Sequence, residues 1–298
     1  MKRRSKNATW YSKGDIAFLA VDILLLSVLF IVVLYPLLFV LASSFSGGSV
    51  LTGLSLIPRQ VSYEGYKAVF EYSYVWSGYW NSIVYTALGT AIAMVVTILC
   101  AYPLSRADFR FGRYAMGLCV FTMYFSGGLI PTYIWIKNMG ILNSMWAIVL
   151  PGALSAYNMI VMRTYFSTQI PKELRESAQI DGCGEWRYLA QIVLPLSGAV
   201  MAVVALYYAV ARWNAYFDSM IYLQDRALLP LQNILREVMI VNTSNMLYSD
   251  VDAQAAAEQR AELVKYSMIV IASAPMMILY PFVQKFFVKG VMLGSVKG

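Results

Sequence analysis

The sequence predicts an all-α protein that crosses a membrane about six times. Of its 298 residues, 59% are hydrophobic and only 13% are charged, whereas a water-soluble domain carries about 25% charged residues. The apolar residues also occur in long blocks, and a block of about 20 residues is what an α-helix needs to cross the hydrocarbon core of a bilayer. Much of the protein surface is therefore expected to face lipid.

Six apolar blocks are candidate spans. They are residues 16–44, 81–104, 114–136, 141–166, 189–217 and 264–288. The first follows a basic cluster, but it is far longer than the about 7–15 apolar residues of a signal peptide, so we interpret it as an uncleaved span. Glycine and proline interrupt the third, fourth and sixth blocks, which is typical of membrane helices packed in a bundle.

The distribution of Lys and Arg predicts that both termini are cytoplasmic. With the amino terminus inside, 15 of the 23 basic residues fall on that side of the membrane and seven on the other, and the side with the excess is normally the cytoplasm. The chain then divides into a series of segments. These are a cytoplasmic amino terminus (1–15), a membrane domain (16–288) with external loops 45–80 and 218–263 and a cytoplasmic loop 167–188, and a cytoplasmic tail (289–298).

Several classes of function are disfavoured by what the sequence lacks. It contains no histidine, and its three cysteines, Cys100, Cys119 and Cys183, do not have the spacing of metal ligands. It has no Gly-x-x-x-x-Gly-Lys-Ser/Thr loop to cradle the phosphates of ATP. The basic residues form short clusters between apolar blocks, which indicates control of topology and not binding to nucleic acid. We therefore expect no cofactor or metal on this chain.

The cytoplasmic loop 167–188 carries the clearest motif. Pro171 and Glu173 suit the first turn of a helix, and Asp181-Gly182 ends that helix. A second helix follows, with one face formed by Trp186, Leu189, Ala190 and Val193. Two short helices that meet at a glycine directly before a span could fit a groove on a partner protein. An amphipathic loop on the membrane surface is the alternative that these residues leave open.

These residues resemble a known signature. Glu176-Ser177-Ala178, then Asp181-Gly182, then Leu194-Pro195 resemble the EAA motif of the permease subunits of ABC importers. The preceding Ile170-Pro-Lys-Glu-Leu resembles the carbohydrate-uptake branch, in particular the second permease subunit of maltose-type systems. Ser177 replaces the usual middle alanine, and Gly198 stands where a second proline often follows Pro195.

The resemblance extends over nearly the whole chain. Within the carbohydrate-uptake branch, the sequence is similar to one subfamily, which imports fragments of polysaccharides such as pectin and alginate. The stretches that carry it are Phe125-Ser-Gly-Gly-Leu-Ile-Pro-Thr-Tyr, Met162-Arg-Thr-Tyr-Phe, Trp213-Asn214 and the tail from Tyr280 to Gly298.

The resemblance implies a type I ABC importer permease fold in a bacterial inner membrane. It implies coupling helices that dock on a separate cytoplasmic ATPase, which holds ATP and Mg and drives alternating access, so that this chain is not itself an enzyme. The implied partners are two copies of that ATPase, a second homologous permease subunit and an external or periplasmic solute-binding protein. The implied coupling residues are Glu173, Glu176, Ser177, Ala178, Asp181, Gly182, Trp186, Pro195 and Lys297.

Arg212 is a candidate for contact with substrate because a charged residue at membrane depth is costly and often functional. Its planar fork suits the carboxylate of a uronic acid, whereas snorkelling to the external interface is the alternative. In maltose-type systems the sugar is held mainly by the other permease subunit. The predicted substrate path comprises Arg212, Trp213, Asn214, Tyr216, Tyr124, Tyr157 and Asn158.

The residues disfavour two other functions. An ion-coupled secondary transporter normally needs carboxylates within its spans, and Asp22 is the one candidate. A membrane-embedded enzyme is disfavoured by the absence of histidine and of a convincing Ser–Lys or Asp pair.

Overall fold

The computed structural model describes residues 12–47, 56–58, 60–247 and 251–294. These residues form α-helices joined by short turns, and they contain no β-strand beyond one isolated bridge between Ser46 and Val61. The chain divides into two compact units, one comprising Met1–Val69 and Asn245–Val270 and the other Phe70–Ser244 and Ile271–Gly298.

Fourteen α-helices are present in the described ranges. In chain order they are α1 (Lys13–Ser44), α2 (Glu64–Phe70), α3 (Ser73–Leu104), α4 (Gly112–Tyr124), α5 (Leu129–Asn138), α6 (Trp146–Val149), α7 (Ala156–Gln169), α8 (Lys172–Ile180), α9 (Glu185–Tyr188), α10 (Leu194–Leu196), α11 (Gly198–Asn214), α12 (Phe217–Tyr222), α13 (Leu231–Leu247) and α14 (Val251–Gly294). A π-helical turn, Leu189–Val193, connects α9 to α10, and a 3₁₀ turn, Arg226–Leu228, precedes α13.

The first unit contains α1, which begins with a capping box. Ser12 Oγ accepts from the amide of Gly14 at 3.1 Å, and the carboxylate of Asp15 accepts from the amide of Ser12 at 2.9 Å. Most of this helix is apolar on all sides, as expected of a helix that faces lipid or other membrane helices. Its last turn is held in place, since the hydroxyls of Ser44 and Tyr66 lie 2.7 Å apart.

The second unit is organised around α3, which packs against α7 and α11. The core between these helices includes Ala93, Met159 and Val204. The hydroxyl of Tyr208 connects all three, because it lies 2.7 Å from Thr97 Oγ1 on α3 and accepts at 3.0 Å from the amide of Ser155 at the start of α7.

A proline in α14 shapes another contact within this unit. Pro275 has no N–H, so the carbonyl of Ile271 lacks its usual helical donor. The hydroxyl of Tyr79 on α3 donates to that carbonyl. The indole Nε1 of Trp213 on α11 donates to the next carbonyl, that of Ala272, at 2.9 Å. Side chains from two neighbouring helices thus satisfy the backbone at the proline.

Three described helices are long and apolar enough to cross a bilayer alone. They are Gly14–Ser44, Ser73–Leu104 and Arg260–Pro281. Two bent pairs, α4 with α5 and Glu185–Leu196 with α11, raise the number to five if each pair is one span, with bends of 114° and 84°. The first bend lies at Gly127-Gly128, where Gly128 has a φ of +85°.

The fourth predicted span differs from the structure. Residues 141–166 were expected to form one helix, but a turn at Pro151-Gly152 separates α6 from α7. The 14 residues of α7 extend over only about 21 Å at about 1.5 Å per residue, less than the about 30 Å of a hydrocarbon core. The count of six spans therefore stays a prediction. The predicted external loops contain α2, the start of α3, α12, α13 and the start of α14.

Candidate functional site

The two predicted helices of the segment 167–188 are present as α8 and α9. The first ends in a Schellman motif: the amide of Gly182 donates to the carbonyl of Gln179 at 3.1 Å, and that of Cys183 donates to the carbonyl of Ala178 at 2.8 Å. Gly182 has a φ of +71°, a conformation in which a side chain is strained. The sharp turn between the two helices therefore depends on this glycine.

The second helix does not present the single apolar face that the sequence predicted. Leu189 and Val193 are buried, but Trp186 is 75% exposed and Ala190 is exposed as well. The side of the helix that enters the core carries Tyr188 as well as Leu189 and Val193, and a π-helical turn spans Leu189–Val193. Trp186 consequently points away from the core that Leu189 and Val193 enter.

Most of the predicted coupling residues lie on the surface. Ala178 is buried, whereas the other described members of the set are exposed: Glu173, Glu176, Ser177, Asp181, Gly182, Trp186 and Pro195. Ile180, at the end of α8, is 87% exposed. The segment therefore presents carboxylates together with two large apolar side chains. Lys297 lies outside the described residues.

A cluster of four charged residues holds this segment against the loop between α3 and α4. We call Arg106, Asp108, Arg175 and Glu185 the charge cluster. Arg175 on α8 lies 2.8 Å from Asp108 and 3.0 Å from Glu185, and Arg106 lies 2.9 Å from Glu185. The hydroxyl of Tyr102 also donates to Glu185. No local pattern in the sequence indicates this cluster.

A polar cavity of about 260 Å³ lies at the end of α11 that is predicted to be external. Arg212 and Asn158, both predicted, line it, together with Asp218, Ser219 and Tyr207, which were not. The guanidinium Nη1 of Arg212 donates to the carbonyl of Ile148 at 3.1 Å, so in this structure its charge is held among the helices and does not snorkel.

Gly89 on α3 makes room for the Arg212 side chain. A Cβ atom at this position would lie only 2.7 Å from Cδ of Arg212. Part of the Asp218 side chain is open, but burial of the remainder raises the pKa of its carboxyl above its ordinary value, and the positive charge of Arg212 opposes that rise. The cavity therefore contains one cation and one carboxyl group.

The other predicted substrate residues lie elsewhere. Trp213 is only 3% exposed and its indole donates a hydrogen bond to the carbonyl of Ala272, so it has a packing role. The amide of Asn214 donates to its own helix, at the carbonyl of Val210. Tyr216 and Tyr124 are exposed, the former beneath the guanidinium of Arg236 at 5.0 Å. Tyr157 is exposed, and its ring lies 6.4 Å from that of Tyr207.

No metal site is evident, because the described residues contain no group of three or more His, Cys, Asp or Glu side chains close enough to hold an ion.

Comparison with known proteins identifies the family, although no family model matches the chain. The polygalacturonan/rhamnogalacturonan transport system permease protein YtcP of Bacillus subtilis is 40% identical over 88% of this chain and 92% of its own. Protein LplC of the same organism is 38% identical over 96% of this chain and 97% of its own. The chain belongs to the permease subunits of ABC transporters. It is thus a multi-pass membrane protein.

The fold of the permease agrees with this assignment. A crystal structure of a bacterial ABC transporter involved in the import of the acidic polysaccharide alginate contains a chain that is 30% identical and superimposes with a TM-score of 0.80, over 93% of this chain and 99% of the other. The predicted fold class, an all-α ABC importer permease, is confirmed, and so is the resemblance to the sugar branch. The ion-coupled secondary transporter is not favoured.

Proposed function

We propose that the permease forms part of the path by which an ATP-driven importer takes up oligosaccharides released from acidic polysaccharides. The support comes from two relatives, of which one is named for polygalacturonan and the other for alginate. The chain itself would bind no cofactor and catalyse no reaction, and a separate subunit would bind ATP and Mg and hydrolyse the nucleotide.

The proposed assembly contains the permease, a second homologous permease subunit, two copies of a cytoplasmic ATPase and an external or periplasmic solute-binding protein. Both termini of the permease would be cytoplasmic, in a bacterial inner membrane, as the excess of basic residues on that side favours. Residues 167–188 would then face the ATPase.

The geometry of α8 and α9 is the observation that carries the coupling role. Glu176 and Trp186 are exposed, and so are available to a partner, while Gly182 fixes the angle between their helices. The charge cluster ties the same two helices to the loop after α3, the helix on which the core of the second unit is built. A displacement of α8 by the ATPase would therefore be passed to α3 as well as to α11.

Gly182→Val and Gly184→Val provide a matched test. A Cβ atom meets nothing within 4 Å at either position, but Gly182 has a φ of +71° and Gly184 a φ of −72°. A left-handed conformation costs a residue with a side chain about 1–2 kcal/mol. We expect Gly182→Val to lower both co-purification of the ATPase and ATP-dependent uptake by about five- to thirtyfold, and Gly184→Val to retain both.

The readouts are the amount of ATPase that purifies with the detergent-solubilised permease and the rate of uptake by the reconstituted complex. If the Gly182 variant assembled and transported like the Gly184 variant, the segment would not be the coupling element.

A further inference from the structure

The polar cavity near Arg212 contains hydrogen-bonding groups that the protein leaves unused. Ser219 is completely buried, and its hydroxyl has no partner among the described residues. The Nε atom of Arg212 is likewise buried and has no hydrogen-bond partner among the described residues. An unsatisfied buried polar group costs about 1–3 kcal/mol. Ser219 lines the cavity, whereas Nε of Arg212 lies against Gly89, so the unused hydroxyl is the group that indicates a ligand entering the cavity.

The charges around the cavity define the chemistry of that occupant. Arg212 and Asp218 influence each other electrostatically. A guanidinium only donates hydrogen bonds, whereas an ionised carboxylate only accepts them. Neighbouring hydroxyls of a sugar can satisfy both, since each can donate and accept. A carboxylate ligand would satisfy Arg212 but would face the like charge of Asp218.

The other walls fit the same kind of ligand. Asn158, only 6% exposed, adds an amide that can both donate and accept. Tyr207 and Tyr85 add aromatic surface, and small-molecule sites combine such surface with a few placed polar groups. The volume of about 260 Å³ lies below the about 300–1,000 Å³ of pockets for drug-sized ligands, which suits one ring and not a chain.

We propose that this cavity binds one pyranose ring of the transported saccharide through its hydroxyl groups, with Arg212, Asp218, Asn158 and Ser219 as the polar contacts. The inference rests on the proposed function, because it requires a saccharide substrate. It revises the expectation that Arg212 recognises the carboxylate of a uronic acid, and it gives the permease a sugar contact of its own beside any held by the second subunit.

The test compares Ser219→Ala with Ser43→Ala in the complete reconstituted importer. Both serines are buried and both hydroxyls lack a partner in the described residues, so neither substitution should impair folding. Only Ser219 lines the cavity. The probes are trigalacturonate and its methyl ester, which keeps the ring hydroxyls and removes the charge.

We expect Ser219→Ala to reduce uptake of both probes by a similar factor, about three- to tenfold, as the loss of one hydrogen bond implies. Ser43→Ala should transport like the wild type. Asp218→Asn should also reduce uptake of trigalacturonate, because the amide replaces an acceptor that a sugar hydroxyl uses.

Three results would overturn the inference: wild-type uptake by Ser219→Ala, a loss confined to the charged probe, or faster uptake of trigalacturonate by Asp218→Asn. The last two would mean that the cavity recognises a carboxylate. Failure of the wild-type importer to take up either probe would instead contradict the proposed substrate class.

Discussion

The two ends of the second unit are held together by different forces. At the end that carries α8 and α9, the charge cluster joins segments through ion pairs whose carboxylates are largely exposed, Asp108 at 59% and Glu185 at 52% of their side-chain surface. At the opposite end, the segment Tyr222–Leu231 is held mainly by neutral hydrogen bonds to its backbone, beside one ion pair between Arg226 and Glu237 at 2.9 Å. We call this stretch the pinned segment.

Side chains from two regions fix the pinned segment. Asn143 accepts from the amides of Gln224 and Asp225 at 2.9 and 2.8 Å. On α3, the amide of Asn81 and the hydroxyl of Tyr85 donate to carbonyls of the segment, and Ser82 Oγ accepts from the amide of Leu231 at 2.8 Å.

The contrast indicates what each end is built to do. Exposed ion pairs contribute little to stability, are screened by salt and can re-form in a new arrangement. Neutral bonds to backbone groups are insensitive to salt, and breaking a buried one leaves an unsatisfied group. The coupling end is therefore suited to rearrangement, and the end with the pinned segment to keeping one shape.

The largest loss of stability is expected for Asn143→Ala. It removes two hydrogen bonds, each worth about 0.5–1.5 kcal/mol. It also places alanine at a φ of +54°, which costs about 1–2 kcal/mol. We expect a total of about 2–5 kcal/mol, seen as a lower midpoint of thermal denaturation in detergent. Asn143→Gly loses the same bonds without the strain, so it should fall between alanine and the wild type. Equal midpoints for all three would show that the segment is not pinned there.

An intermediate effect is expected for Ser82→Ala, which leaves the buried amide of Leu231 without an acceptor at a cost of about 1–3 kcal/mol. Ser77→Ala on the same helix is the control, because the hydroxyl of Ser77 donates to its own helix, at the carbonyl of Tyr74, and its loss should change the midpoint little. The difference between the two variants should persist in about 1 M salt, since no charge is involved. A difference that vanished with salt would contradict the contrast between the ends.

The smallest effect is expected for Arg175→Gln, at most about 1 kcal/mol, because the cluster is partly exposed. The loss should shrink in about 1 M salt, in contrast to that of Ser82→Ala. Denaturation midpoints at low and high salt measure both. A larger loss for Arg175→Gln than for Ser82→Ala, unchanged by salt, would mean that the coupling end is the more rigid of the two.

Composition and local signals predicted the helical membrane fold and the two helices that meet at Gly182, because each rests on a block of apolar residues or on a turn residue. The charge cluster could not be predicted, since Arg106 and Glu185 are 79 residues apart and many opposite charges could pair. The predicted orientation of Trp186 was wrong, because helical spacing of apolar residues does not by itself show which side of a short helix meets the core.

The candidate substrate residues were predicted only in part, because local patterns do not show which distant segments of the chain meet. A charge within an apolar block singled out Arg212, but many of its neighbours in the cavity come from other helices, among them α3, α7 and α12. Trp213 looked like a sugar contact because it follows Arg212, whereas its indole serves a carbonyl next to the one that Pro275 frees. Pro151 was interpreted as a tolerated break within one helix, but in the structure it lies in a turn between α6 and α7.

The bonds that Tyr79 and Trp213 make beside Pro275 have a consequence for motion. The donors belong to α3 and α11, and the acceptors to α14. Hydrocarbon offers no substitute donor or acceptor, so sliding α14 along its neighbours would leave the carbonyl of Ile271 without a donor and the indole of Trp213 without an acceptor. During a transport cycle, these three stretches of helix should accordingly travel as one rigid body, and any shear must occur along other boundaries.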